Sequence, residues 1–213
     1  GLFHMVRGDE KSYQNAVAAA LACEAAGVPF DEALHLLKVF PGMERRMQVL
    51  GEWRGVTVLT DHADHPTEIR ATLQAVSVRY PGRRLVLVLQ PHRYSRVSTC
   101  LERYGPALSG ASRIILLDIY AASETTEQPD ALNERLRASI ETVVGGSLQK
   151  RMSAQQALED LLASVVPGDV VLFMGPGDVN RLGLLFYSLL SGSNAVEYDP
   201  VAHPTVQGQQ END

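Results

Sequence analysis

The sequence predicts an α/β protein, a doubly wound and mostly parallel sheet led by an antiparallel hairpin and two helices. Two observations predict it. The runs LVLVLQ (85–90), RIILLDI (113–119) and DVVLFMG (169–175) are apolar without alternation, as strands are when helices cover both faces of a parallel sheet. Between them lie helix-length segments bounded by Pro, Gly and polar residues, so that strand and helix alternate.

The first element, Ser12 to Ala26, is Ala-rich, contains no Gly or Pro, and reads as a helix stopped by Gly27 and Pro29. A second helix runs from Asp31, whose side chain can cap it, to about Val39, before Pro41-Gly42. A helical pair of this size buries little alone, so residues 1–45 read as the remnant of a preceding domain. The character changes at Arg45-Arg46. Met47 to Trp53 and Val56 to Asp61 are β-prone runs around Arg54-Gly55, a hairpin. There follow a helix from Pro66 to about Tyr80, a strand Arg84 to Gln90, and a helix around Ser98 to Leu108. A strand Arg113 to Ile119, helices Pro129 to Val143 and Ser153 to Val165, and a strand Asp169 to Met174 complete the series. One domain over 46–192 results, and the polar 193–213, ending in GQQEND, reads as a disordered tail.

A chain of 213 residues, 45% hydrophobic and 21% charged, is long enough for one good core. A net charge of −6 and a pI near 5.5 argue against a nucleic-acid partner, because neutralising phosphates needs a surplus of Lys and Arg. Basic residues are then expected to serve small anions. Cys23 and Cys100 have no paired spacing for zinc or a redox disulfide, which fits a reducing cytoplasm. No apolar stretch approaches the ~20 residues that cross a bilayer, and no secretion signal opens the chain.

In a doubly wound sheet, ligands bind outside the carboxyl ends of the strands, which makes the polar residues there the candidates. Four such loops stand out. In TDHADHPTEI (60–69), Asp61 is suited to accept hydrogen bonds from ribose hydroxyls, or else is a polar strand end. QPHRYSR (90–96) places His92, Arg93 and Arg96 in one turn; two planar guanidinium forks so close form a clamp for a small carboxylate, or else a solvated basic turn. The third loop is DIYAASE (118–124). The fourth, MGPGDVNRLG (174–183), has Gly175 and Gly177 placed either for close approach to a ligand or for a tight turn.

The order RRM, TDHADHPTEI, PGRRLVLVLQPHRYSR, LLDIYAASE and GPGD resembles the carboxy-terminal domain of the Mur amide ligases, closest to the branch that joins L-alanine to UDP-N-acetylmuramate. SYQNAVAAALA resembles the helix that closes that family's central ATPase domain. The resemblance implies a cytoplasmic ligase of peptidoglycan synthesis that uses ATP and Mg2+. It further implies that Asn15 lies near the adenine, that Arg46 and Asp61 face the nucleotide's phosphates and ribose, and that His92, Arg93 and Arg96 receive the amino acid's carboxylate.

The chain departs from the family pattern in places. Lys11 and Ser12 stand where the family has His and Asn, His62 stands for a Tyr, and Asp64 for the first His of AHHP. The only Lys-Ser pair, Lys11-Ser12, follows Glu10 instead of Gly, so no phosphate-cradling loop is present and the chain is expected to be inactive alone, with no catalytic residue of its own. UDP-N-acetylmuramate would be held by other domains. Two alternatives remain: a ligase-fold module that binds a nucleotide or a partner without catalysis, and a metal-dependent hydrolase using Asp61, His62, Asp64, His65 and His92.

Overall fold

The computed structural model describes residues 10–39, 45–149 and 152–192. Helices α1 (Glu10–Ala25) and α2 (Phe30–Val39) come first and pack on each other, with Ala16, Ala20 and Ala33 buried. Strands β1 (Gln48–Trp53) and β2 (Val56–Asp61) form the hairpin, with Arg54 and Gly55 both at positive φ in the turn. The alternating part is α3 (Pro66–Arg79), β3 (Leu85–Leu89), α4 (Tyr94–Leu108), β4 (Arg113–Leu116), α5 (Pro129–Val144), α6 (Ala154–Ser164), β5 (Val170–Met174) and α7 (Val179–Ser191). The predicted tail and the first residues of the chain lie outside the described residues.

The sheet order is β1-β2-β5-β3-β4; every pair is parallel except the hairpin. Alternation within the apolar runs sorts side chains to two cores. Leu85, Leu87, Leu89, Leu172 and Met174 meet α3, α4 and α5 on one face. Val86, Val88, Val171 and Phe173 meet α6 and α7 on the other. Both faces are covered, and for that reason the strands show no polar alternation.

Three predicted elements differ from those observed. Helix α4 begins at Tyr94 rather than near Ser98, because Arg93 at φ 66° turns the chain straight out of the strand end into the helix. Glu124 stabilises that start by accepting from the Ser95 N–H at 2.9 Å and the Ser95 hydroxyl at 2.5 Å. Strand β4 stops at Leu116, and the Ile119 N–H, predicted in the strand, is instead taken by Asn133 Oδ1 at 3.0 Å. Helix α7 was hidden in the predicted loop 174–183. It buries Val179, Leu182 and Phe186, and Gly183 fits there because an added Cβ would lie 3.0 Å from the Phe173 ring.

Candidate functional site

The strand register brings the carboxyl ends of β2, β5 and β3 level, with Asp61 and Leu89 both paired to Met174. Backbone bonds continue past the strands. Gly175 N–H reaches Asp61 O at 3.0 Å, Gln90 N–H reaches Met174 O at 2.9 Å, and the bridge between His92 and Tyr120 extends β3 and β4. All four candidate loops therefore open on one end of the sheet.

Asp61 is 3% exposed, and its carboxylate is fully engaged: it accepts the Met47 N–H (2.8 Å), the Ala63 N–H (2.8 Å) and the Thr72 hydroxyl (3.4 Å). Burial raises its pKa despite these bonds and the nearby Arg46. It shapes the loop and pins the segment that enters the domain. His65 ends the same loop as the cap of α3, with Nδ1 accepting the Thr67 N–H at 3.3 Å, a buttressing role.

The basic turn is not simply solvated. Asp64, 4% exposed, reaches across from the first loop and accepts a hydrogen bond from Arg96 Nη1, while His92 Nδ1 lies 3.5 Å away. The Tyr104 hydroxyl, buried in α4, donates to the Asp64 carbonyl at 3.1 Å and fixes its position. His92 stacks on Tyr120 with ring centroids 5.7 Å apart. Burial lowers the His92 pKa, more than Asp64 raises it; Arg93, Arg96 and His62 push the same way as burial. Arg93 is exposed at the start of α4, and its guanidinium makes no hydrogen bond among the described residues.

The glycine turn answers to protein neighbours. An added Cβ at Gly175, which has φ 142°, would meet the Gln90 carbonyl oxygen at 2.4 Å, and one at Gly177 would meet Gln90 Oε1 at 2.4 Å. Gln90 in turn accepts the Val179 N–H at 3.1 Å, so the turn and α7 are keyed together.

Sequence reasoning missed Arg45. Its Nη2 donates to the carbonyls of Gly175 (2.9 Å) and Gly177 (3.3 Å), and Nε is buried without a partner among the described residues. The neighbouring Arg46 is exposed and makes no hydrogen bond among the described residues. His62 lies between the basic and acidic residues of this corner, its pKa lowered by burial and then by Arg45 and Arg46. Asn15 is exposed on α1, and its side chain has no hydrogen-bond partner among the described residues. The structure thus brings His92 and Arg96 together through Asp64, leaves Arg93 beside them, and ties Asp61 to the residue that follows Arg46. No group of three His, Cys, Asp or Glu that could hold a metal occurs among the described residues, so the hydrolase alternative gains no support.

Fold and loops define an α/β domain that presents guanidinium groups at the strand carboxyl ends. Residues 45–177 match the family described as Mur ligase, glutamate ligase domain. The chain belongs to the Mur ligase family. It is 39% identical over 177 residues to the UDP-N-acetylmuramate–L-alanine ligase of Chloroflexus aggregans, a match covering 83% of this chain and 37% of that protein. The crystal structure of UDP-N-acetylmuramate-alanine ligase from Thermotoga maritima aligns with a TM-score of 0.65 at 23% identity, over 89% of this chain and 39% of that one. MurF ligase from Thermotoga maritima, solved in complex with ADP, aligns with a TM-score of 0.58 at 17% identity, over 87% of this chain and 39% of that one. These structural likenesses are likenesses of fold. The chain spans about 37% of the length of the curated relatives it matches. Among the described residues no helix is long and apolar enough to cross a membrane.

Proposed function

We propose that this chain is the carboxy-terminal part of an ATP-dependent, ADP-forming ligase that joins L-alanine to UDP-N-acetylmuramate, and that it supplies nucleotide and amino-acid contacts. The observation that carries this reading is the loop of Arg93 and Arg96 at the carboxyl end of β3, in a chain 39% identical to a ligase of that activity. In such a reaction the sugar's carboxylate takes the γ-phosphoryl group of ATP, releasing ADP. The amine of alanine then attacks the acyl carbon, and phosphate leaves with the electron pair of the broken C–O bond.

This chain's share is positioning. Arg93 and Arg96 would grip the alanine carboxylate and so aim its amine. Arg46 and Asn15, both exposed and without hydrogen-bond partners among the described residues, are free to reach the nucleotide's phosphates and base. Asp61 would reach a ribose only by sharing a carboxylate that already holds Met47 and Ala63, so its support for the nucleotide is chiefly through loop shape. Magnesium, which the family resemblance implies, finds no carboxylate cluster here among the described residues, and its chemistry is not placed on them.

The test is kinetic, in the full-length enzyme. Losing a bidentate guanidinium–carboxylate contact costs about 1.5 to 3 kcal/mol, roughly ten- to a hundredfold. Arg93→Ala should raise the Michaelis constant for L-alanine by that factor while leaving that for ATP within about twofold. Arg93 is the cleaner site, since Arg96→Ala would also strip Asp64 of its partner. An unchanged alanine dependence would remove the amino-acid assignment.

A further inference from the structure

The proposed carboxylate clamp already contains a carboxylate. Asp64 shares Arg96 and sits beside His92, with its side chain only 6% exposed. It is held there from two sides: the Tyr104 hydroxyl takes its carbonyl, and Asp61 takes the N–H of the preceding Ala63. Arg96 is 37% exposed in its side chain, and Arg93 stands exposed near it. A ligand carboxylate arriving at this turn therefore meets two guanidinium groups and one fixed negative charge. His92, which stacks on Tyr120 and lies 3.5 Å from Asp64, has its pKa lowered chiefly by burial.

Resting on the amino-acid reading above, we propose that Asp64 is a specificity-determining residue: a resident carboxylate that makes the clamp select zwitterionic amino acids over plain carboxylates. Two carboxylates sharing one guanidinium repel each other, and the repulsion is strong where solvent is partly excluded. A ligand with an ammonium group next to its carboxylate brings the compensating charge with it. One without it does not. Asp64 thereby weakens the binding of simple acids of the same size, and it does so through charge, without touching the reacting atoms.

The experiment compares L-alanine with propionate, which has the same carbon skeleton but no amine, by NMR titration of the 213-residue chain. Resonances of the 90–96 loop report binding. In the native chain L-alanine should bind more tightly than propionate. Asp64→Asn should tighten propionate about tenfold and reduce the preference for alanine correspondingly. Asp64→His, the residue the family pattern places there, should do the same, and it serves as the second variant if the amide substitution perturbs the fold. Arg93→Ala should weaken both ligands. If Arg93→Ala weakens L-alanine but the Asp64 variants leave the alanine-to-propionate ratio unchanged, the clamp stands and the role of Asp64 is overturned. If neither ligand shifts the loop in any variant, the clamp and the role of Asp64 both fall.

Discussion

At the scale of the residue, the candidate site sets guanidinium groups beside two partly buried histidines. His62 and His92 are both held below the ordinary histidine value, first by burial, and His62 also by Arg45 and Arg46. A histidine with a depressed folded-state pKa binds fewer protons folded than unfolded, so its contribution erodes stability as pH falls through the unfolded value and is neutral well above it. An NMR titration should find His92 below the free-histidine range. Asp64→Asn should move it further down, because Asp64 supplies the one influence that raises it. A shift upward in that variant would contradict the contact between the two. The basic turn was legible in the sequence because two arginines fall within four residues of each other soon after a fully apolar strand. Its engagement with Asp64 was not, since 32 residues separate Arg96 from Asp64 and the contact exists only once α3 and α4 lie side by side. Likewise nothing in the pair Arg45-Arg46 tells which one turns inward; the left-handed backbone at Arg45 (φ 58°) and Met47 (φ 47°) decides it.

At the scale of the element, the sheet is fastened differently at its two ends. At the amino end Arg83, stacked near the Tyr80 ring, donates to Gly168 O (2.8 Å), the Thr57 hydroxyl (2.8 Å), Gly55 O (2.7 Å) and Asp169 O (2.7 Å). One side chain thus joins the hairpin turn, β2 and the entry to β5, beside an Arg84–Asp169 ion pair at 2.6 Å. Arg83→Ala should lower unfolding stability by about 2 kcal/mol, leaving several carbonyls to water. Denaturant unfolding checks this, and a midpoint equal to wild type would show that water replaces the guanidinium without loss. The strands and α3, α5 and α6 were readable because apolar runs and terminal Pro or Ser residues mark them. Helix α7 was not, because its first five residues include Asn180, Arg181 and Gly183, which argue for a loop until the Phe173 ring beneath Gly183 is known.

At the scale of the whole molecule, the proposed contacts to a nucleotide and an amino acid come without a cradle for a γ-phosphate: the sequence has no glycine-rich loop ending in Lys and Ser or Thr. The 213-residue chain should therefore release no phosphate from ATP in the presence of magnesium. A phosphate-release assay showing activity that co-purifies with the chain and is lost in Arg46→Ala would refute this. Arg45 has one more consequence. By gripping the carbonyls of Gly175 and Gly177, while the Met47 N–H holds Asp61, it bolts the entry to the domain to the carboxyl end of the sheet and not to the Arg83 end. A segment ahead of residue 45 is therefore joined to this part of the chain at the carboxyl end of the sheet. On the proposed function, a ligand held by those loops would resist rotation of whatever precedes residue 45.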